Sequence, residues 1–262
     1  MKKLPLEAPI LNTLSPLPVN SSGINLDRLS PSLRPAGTAR GYQDWRSMLF
    51  LHWPVPTEQL RPLMPAELSL DLHHEIAYLS IVLFGMEQVR PRWWPRQLAL
   101  QFLEVNVRTY VHHKGTPGIY FLSLDANSRL AVWGARTAWS LPYHHATMEM
   151  TQGREETRFQ VRRSGSGSVH RVSYRVGTML GKSQPGTLED FLLERYWLFV
   201  EHRGRLCKAQ VHHRPYLAQK ATVGEFKDQL IAAAGLPQPR GDPPLTHYVQ
   251  GVDTEVFSLR PA

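Results

Sequence analysis

One strand-like segment carries three polar side chains on a single face. In residues 101–111, the two-residue period of a β-strand collects on one side Phe102, Glu104, Asn106, Arg108 and Tyr110. The other side holds leucine, valine and threonine and is expected to face a core. A carboxyl, an amide and a guanidinium bracketed by aromatics suit the wall of a polar cavity, where Glu104 would act as acid or base. The alternative is a solvated face, which is usual for an amphipathic antiparallel strand.

A second set of reactive side chains follows the apolar stretch that begins at residue 118. This stretch is interpreted as a strand, a polar turn at residues 125–129, and a second strand up to Ser140. The chain then turns sharply at residues 141–145, where Tyr143 or His144 would donate to a developing oxyanion. Trp139 is expected to contact a ligand. Tyr143 is alternatively a core residue whose hydroxyl is hydrogen-bonded.

The elements that must position these residues are mostly short strands. Segments rich in β-branched and aromatic residues, bounded by proline and glycine, predict strands at 47–53, 76–86, 101–111, 156–163, 170–176, 205–211, 216–223 and 254–259. Residues 187–201 have helical periodicity and form the one clear helix, with a shorter helix at 58–63. These patterns predict a mainly β fold, in the form of a β-rich α+β, barrel-like antiparallel domain with one packed helix.

The sequence predicts two regions in the chain, an arm and a domain. Prolines at 5, 9, 16, 18, 31 and 35 predict an extended arm over residues 1–40, and residues 41–262 form a single domain. The arm lies over the body or reaches a neighbouring subunit, and the second arrangement would make the protein a homo-oligomer.

Composition and charge limit the partners and the cellular location expected for the protein. The formal net charge is +8, but the basic residues are spread along the chain, so we do not expect a nucleic-acid partner. No run of 18 apolar residues occurs, so we expect no membrane span, and no signal peptide is recognised. The single cysteine, Cys207, excludes an internal disulfide and indicates a cytoplasmic location.

The sequence carries no recognisable metal or cofactor signature. Four adjacent histidine pairs could each turn one imidazole inward, but no ligand spacing supports a metal site. The chain has no phosphate-binding loop, dinucleotide fingerprint or nucleophile elbow. We therefore expect no metal and no cofactor.

Two surface features offer a non-enzymatic alternative. The loop 90–96 (RPRWWPR) holds two tryptophans among prolines and arginines, and the hairpin 156–176 presents four arginines on one face. Either could be the contact surface of a binding or interaction module. The hairpin arginines also discourage edge-to-edge pairing without any ligand.

Several motifs in order resemble a known family. The segments LRPLMP (60–65), EVNVRTY (104–110), SLDA (123–126) and GAR to LPY (134–143) resemble the uncharacterised bacterial YqjF-like proteins, over roughly residues 43–225. That family is in turn similar to acetoacetate decarboxylase. The resemblance implies a cone-shaped antiparallel β-barrel with a central, largely apolar cavity.

The resemblance also implies which cavity residues carry over. In the decarboxylases a Schiff-base lysine and a second lysine follow a proline that lies six residues after an arginine; here those positions hold Tyr143 and His144. Neither can form a Schiff base, so that mechanism is expected to be absent. The decarboxylase glutamate and the arginine near its N-terminus correspond to Glu104 and Arg46. The resulting expectation is a cavity for a small organic carboxylate or carbonyl compound, with Arg46, Asn106, Arg108 and Trp139 as ligand contacts and Glu104, Tyr143 and His144 as catalytic residues.

Overall fold

The fold is a large β-structure with few helices. The computed structural model describes residues 26–239, 241 and 243–262. Its strands are β1 (Gly41–Val55), β2 (Ser69–Leu70), β3 (Ala77–Pro91), β4 (Leu100–His113), β5 (Thr116–Ala126), β6 (Tyr143–Gln152), β7 (Thr157–Arg163), β8 (Val169–Gly181), β9 (Trp197–His202), β10 (Arg205–His212), β11 (Ala218–Lys227), β12 (Leu245–Val256) and β13 (Arg260–Pro261). The helices are α1 (Thr57–Leu60), α2 (Arg129–Trp139), α3 (Leu188–Leu193) and α4 (Leu230–Ala233).

All these strands belong to one sheet that partly closes into a ring. Hydrogen-bonded pairings link β12, β1, β3, β4, β5, β9 and β10 in turn, and β10 pairs back to β12. The β5–β6 and β5–β9 pairings are parallel, and the others are antiparallel. The expected mainly β fold is therefore confirmed.

The central strand β3 explains why its sequence is apolar without alternation. Its first ten residues are all buried, because both faces of the sheet are covered. Leu79, Ile81 and Leu83 pack into one core cluster with residues of β4 and β7. The alternate residues Val82 and Phe84 pack into a second cluster, which surrounds a cavity.

The second strand predicted after the turn at 125–129 is wrong, because this segment is the helix α2. Ser128 is its N-cap, and the Ser128 hydroxyl accepts a hydrogen bond from the amide of Ala131 at 3.3 Å. Ser140 ends the helix in a left-handed conformation (φ 54°). The missed signal was the polar Asn127-Ser128 pair before alanines at helical spacing.

The long helix predicted at 187–201 is also wrong in extent. Thr187 caps α3 as expected, but α3 ends at Leu193, and the aromatic segment that follows becomes β9. Pairing with β5 and β10 on its two sides overrides the helical periodicity. The predicted short helix at 58–63 corresponds to α1 and the 3-10 turn Arg61–Leu63 that follows it. In the described part of the chain, α2 and α4 were not predicted, and the predicted strand 254–259 is corrected to the end of β12.

The described part of the arm, residues 26–40, lies on the body of its own chain. Arg28 bonds to the buried Asp71 at 2.6 and 2.8 Å, and Arg34 bonds to Glu255. The rest of the predicted arm, residues 1–25, lies outside the described residues, and its reach to a neighbouring subunit stays a prediction. None of the helices in the described ranges is long and apolar enough to cross a membrane.

Candidate functional site

A cavity of about 550 Å³ lies inside the ring of strands. It is lined by β1, β3, β4, β5, β9 and α2, and most of the lining is apolar or aromatic. Among the described residues, the charged side chains of the lining are four arginines, Arg40, Arg90, Arg108 and Arg195, and one acid, Glu104. The cavity therefore has an excess of positive charge.

Strand register brings Tyr143 beside the polar face of β4. Asn106 pairs with Leu124 across β4 and β5, and Leu124 pairs with Tyr143 across β5 and β6. All three side chains are buried and line the cavity. Glu104 is the neighbour of Asn106 on the same face of β4. The Tyr143 hydroxyl donates a hydrogen bond of 2.5 Å to Oε2 of Glu104.

Glu104 is a buried carboxyl with a raised pKa. Burial raises the pKa of Glu104 from 4.5 to about 7, against the lowering effect of hydrogen bonds from Tyr143 and Asn106. Asp125 adds a smaller raising effect. Burial and the neighbouring Glu104 in turn raise the pKa of Tyr143 well above its ordinary value, so Tyr143 remains a donor. A pKa matched to the working pH is what general acid–base chemistry requires.

Arg108 is a buried cation without a carboxylate partner among the described residues. Its side chain is 8% exposed, and its guanidinium lies over the Phe50 ring at 5.5 Å. Among the described residues its guanidinium forms one hydrogen bond, and it is long: Nη2 lies 3.4 Å from the carbonyl oxygen of Leu192. That oxygen already accepts a hydrogen bond of 3.0 Å from the Tyr110 hydroxyl. The Nε atom has no hydrogen-bond partner within the described part of the chain. A buried charge without a counter-charge is costly.

Arg195 also lines the cavity but is paired. Its Nη1 lies 2.7 Å from Oδ2 of the fully buried Asp71, and its Nε donates to the carbonyl of Phe191 at 2.6 Å. Sequence reasoning missed Arg195, because it assigned the residue to the apolar face of a long helix. Among the described residues, Arg195 thus has a carboxylate partner and Arg108 has none.

Arg46 does not join these residues, which corrects its expected place in the cavity. Trp45 and Met48 line the cavity, whereas Arg46 points to the other side of β1. A bulge at Ser47 (φ 52°) keeps Trp45 and Met48 on the same side and leaves Arg46 outside. There its guanidinium bonds to Asp253 at 2.6 Å and to the carbonyl of Val252 at 3.0 Å.

His144 also lies outside the cavity, which removes it from the expected oxyanion position. It is adjacent to Tyr143 in β6, and neighbours in a strand face opposite ways. His144 is exposed, while Tyr143 is buried. Trp139, at the end of α2, does line the cavity with Glu104, Asn106, Arg108 and Tyr143.

The opening of the cavity is marked by lining residues that are also exposed. On α2, Leu130 is 51% and Trp133 is 66% exposed. Trp94, from the loop after β3, lines the same cavity, and its ring stacks on the 82% exposed Trp93 at 6.3 Å. The tryptophan loop is thus partly a wall of the cavity, a position that the sequence left open.

Other candidate groups do not converge on this site. Within the described ranges, no three metal-ligating side chains lie close enough together to hold a metal ion. Of the four arginines predicted on one face of the hairpin, Arg158, Arg162 and Arg175 are exposed and Arg171 is half-buried, and Arg158 pairs with Glu156 at 3.1 Å.

Comparisons with known proteins agree with this architecture. The model of family DUF2071, described as "Uncharacterized conserved protein", matches residues 42–253. Uncharacterized protein YqjF from Bacillus subtilis (strain 168) is 37% identical over 220 residues, which cover 83% of this chain and 90% of YqjF. These matches confirm the resemblance to the YqjF-like proteins.

Solved structures share the fold. Enduracididine biosynthesis enzyme MppR, complexed with pyruvate, is 13% identical with a TM-score of 0.60 over 86% of this chain and 91% of MppR. An acetoacetate decarboxylase-like enzyme from Sphingomonas wittichii RW1 is 12% identical with a TM-score of 0.59, over 88% and 96% of the two chains. At these identities the likeness concerns the fold alone.

Proposed function

The chain belongs to the DUF2071 family, and on that premise we propose that its central cavity binds a small organic carboxylate or carbonyl compound and exchanges a proton with it. The observation that carries the proposal is the buried Arg108, which has no carboxylate partner in the described part of the chain. A ligand carboxylate would accept charge-assisted hydrogen bonds from it and offset the cost of burying the charge. MppR, which shares the fold, is complexed with pyruvate, and this supports a small acid as ligand.

The chemistry differs from imine formation. No lysine lies among the described residues of the lining, and the positions that resemble the decarboxylase lysine pair hold Tyr143 and His144. A Schiff base therefore has no nucleophile in this cavity. Proton transfer remains the reaction that the lining supports best.

Glu104 would perform that transfer. As a carboxylate it would accept a proton from the carbon next to a ligand carbonyl, and the C–H electron pair would form the enolate. The cationic Arg108 would stabilise the negative charge, while Tyr143 would hold Glu104 in place through its 2.5 Å hydrogen bond. Return of the proton from Glu104 to carbon completes the exchange.

Binding is tested with Arg108→Gln and, as a matched control, Arg162→Gln in the exposed face of β7. Isothermal titration with pyruvate and 2-oxobutanoate should show at least a tenfold loss of affinity in R108Q and none in R162Q, because charge-assisted hydrogen bonds contribute about 1.5–3 kcal/mol. The free energy of unfolding of R108Q should equal or exceed that of the unchanged protein, since a buried unpaired charge is removed. Equal affinity in R108Q and the unchanged protein would refute the role of Arg108.

Proton transfer has its own measurement. Exchange of the C3 protons of 2-oxobutanoate for deuterium, followed by NMR, should be accelerated by the protein and not by Glu104→Gln. Acceleration that persists in E104Q would exclude Glu104 as the base.

A non-enzymatic interaction module is the second candidate. One observation favours it: Trp93 is 82% exposed beside the cavity opening. Loss of ligand binding in Trp93→Ala would connect this surface to the cavity, whereas unchanged binding would leave it free for a partner. We further propose a cytoplasmic location, because Cys207 is the sole cysteine of the chain.

A further inference from the structure

The cavity is much larger than a three- or four-carbon acid. Since one water takes up about 30 Å³ in the liquid, 550 Å³ corresponds to about 18 water-sized groups, against about seven non-hydrogen atoms in a four-carbon keto acid. A small acid bound at Arg108 would leave more than half of an apolar space filled with water, which is unfavourable next to aromatic walls.

Polar and apolar groups are segregated along the cavity. Glu104, Asn106 and Arg108 are each less than 9% exposed and share one face of β4. Much of the remaining lining consists of aromatic and aliphatic side chains such as Trp45, Phe84 and Phe102. An occupant that matches both parts of the lining has a charged head and an apolar body.

The side chains at the opening of the cavity are also apolar. Leu130 and Trp133 are 51% and 66% exposed although they line the cavity. Large exposed apolar side chains at the rim of a concave site are typical of a surface that a ligand covers. The helix α2 therefore presents them to the part of the ligand that reaches the opening.

We propose that the ligand is an organic acid with an extended apolar body, an alkyl or arylalkyl carboxylate of eight or so carbons, whose carboxylate binds Arg108 and whose body runs along the aromatic wall to Trp133. The inference rests on the proposed binding of an organic acid in the same cavity and names the class of ligand.

A chain-length series tests the apolar body. Butanoate, hexanoate and octanoate, with octanol as the uncharged counterpart, are titrated calorimetrically into the full-length protein. Each buried methylene should raise the affinity about fourfold, so octanoate should bind roughly 200-fold more tightly than butanoate. Octanol should bind at least tenfold more weakly than octanoate because it cannot pair with Arg108.

The outcomes separate the inference from the proposed function. Butanoate and octanoate of equal affinity, both weakened in R108Q, would overturn the extended body and leave the small-acid site standing. Octanol that binds as tightly as octanoate would overturn the carboxylate site itself.

Variants of α2 and of the neighbouring loop locate the body. Gly134 lines the cavity, and an added Cβ would meet no atom within 4 Å, so Gly134→Leu should fold and obstruct the opening. G134L should weaken the binding of octanoate at least tenfold and that of butanoate less than twofold, with an equal or higher Tm because leucine favours the helix more than glycine. Trp133→Ala should weaken octanoate about fivefold, whereas Trp93→Ala, which removes a tryptophan outside the lining, should not. A folded G134L that binds octanoate as tightly as the unchanged protein would overturn the placement of the body.

Discussion

At the residue scale, the ionisation of Glu104 couples the cavity to the stability of the fold. The pKa of Glu104 is about 7 in the folded protein against an ordinary value of 4.5. Between these values the unfolded chain has lost the proton and the folded one retains it, so the carboxyl lowers the free energy of unfolding as pH rises. The stability contribution is fully present below pH 4.5 and is lost as pH rises through 7.

We therefore expect Glu104→Gln to become more stable relative to the unchanged protein as pH rises from 4.5 to 8. The difference should approach about 3 kcal/mol, from a shift of about 2.5 pKa units at about 1.4 kcal/mol each. Urea unfolding at several pH values measures it. The comparison between variants is needed because buried histidines such as His213, whose pKa is lowered mainly by burial to about 4, change stability in the opposite direction.

Glu149→Gln, at an exposed residue of β6, is the control variant. A pH-independent difference for E104Q would show that Glu104 ionises at its ordinary pKa in the folded protein.

At the element scale, one carboxylate ties three segments together. Asp71, after β2, is fully buried and bonds both to Arg28 of the arm and to Arg195 between α3 and β9. Burial alone would raise the pKa of Asp71, but the guanidinium groups of Arg195 and Arg28 outweigh it and lower the pKa below its ordinary value. This stability contribution is present above pH 4 and is lost as pH falls through the folded pKa.

Asp71→Asn should lower the free energy of unfolding by about 3–5 kcal/mol, because it leaves the buried Arg195 without a counter-charge. Arg28→Ala keeps the Asp71–Arg195 pair and removes a side chain that is 30% exposed, so its cost should be about 1 kcal/mol or less. Thermal and urea unfolding of both variants measure the contrast. Equal costs would show that the arm contact, rather than the buried pair, dominates.

The elements also show what the sequence could and could not predict. The strict alternation of polar and apolar residues in β4 identified the face that carries Glu104 and Arg108, since side chains alternate between the two faces of every β-strand. The helix α2 was missed because its apolar and aromatic residues mimic a strand and only Val132 among them is buried. The segment 194–201 was assigned to a helix because the periodicity cannot reveal that partners on both sides complete a sheet there.

The sequence could not predict which side chains face the cavity where a strand is irregular. The bulge at Ser47 decides which side chains of β1 face the cavity, and it places Arg46 outside. A sequence count cannot register an extra residue in a strand. For Tyr143 and His144, alternation allowed only one of the two to face inward, and the register with β5 selected Tyr143.

At the scale of the whole molecule, the cavity lies inside a closed circuit of strands whose central members also form the main core. Leu79 and Ile81 of β3 pack into that core, while Val82 and Phe84 face the cavity. A ligand that fills the cavity therefore contacts strands on which the entire sheet depends. Binding to the folded state alone raises stability, by about 2.7 kcal/mol at a ligand concentration of 100 times Kd.

This stabilisation should depend on pH through Glu104. The carboxyl of Glu104 accepts hydrogen bonds from Tyr143 and Asn106, which are neutral, and the charge of Asp125 further disfavours its ionisation. Arg108, on the same face of β4, would be paired with the ligand carboxylate. Below pH 7 a protonated Glu104 can lie beside that carboxylate, whereas above pH 7 two negative charges lie along this face of the strand. The affinity for octanoate should then fall by about tenfold between pH 6 and pH 8, with uptake of about one proton at pH 8.

Calorimetry in buffers of different ionisation enthalpy measures the proton uptake directly, and the thermal shift at the two pH values measures the stabilisation. In E104Q both the pH dependence and the proton uptake should vanish, because no carboxyl remains to be neutralised. Proton uptake that persists in E104Q would assign the coupling to another group. Loss of the proton uptake in E104Q would show that protonation of Glu104, binding of the anion at Arg108 and the stability of the folded sheet are thermodynamically linked.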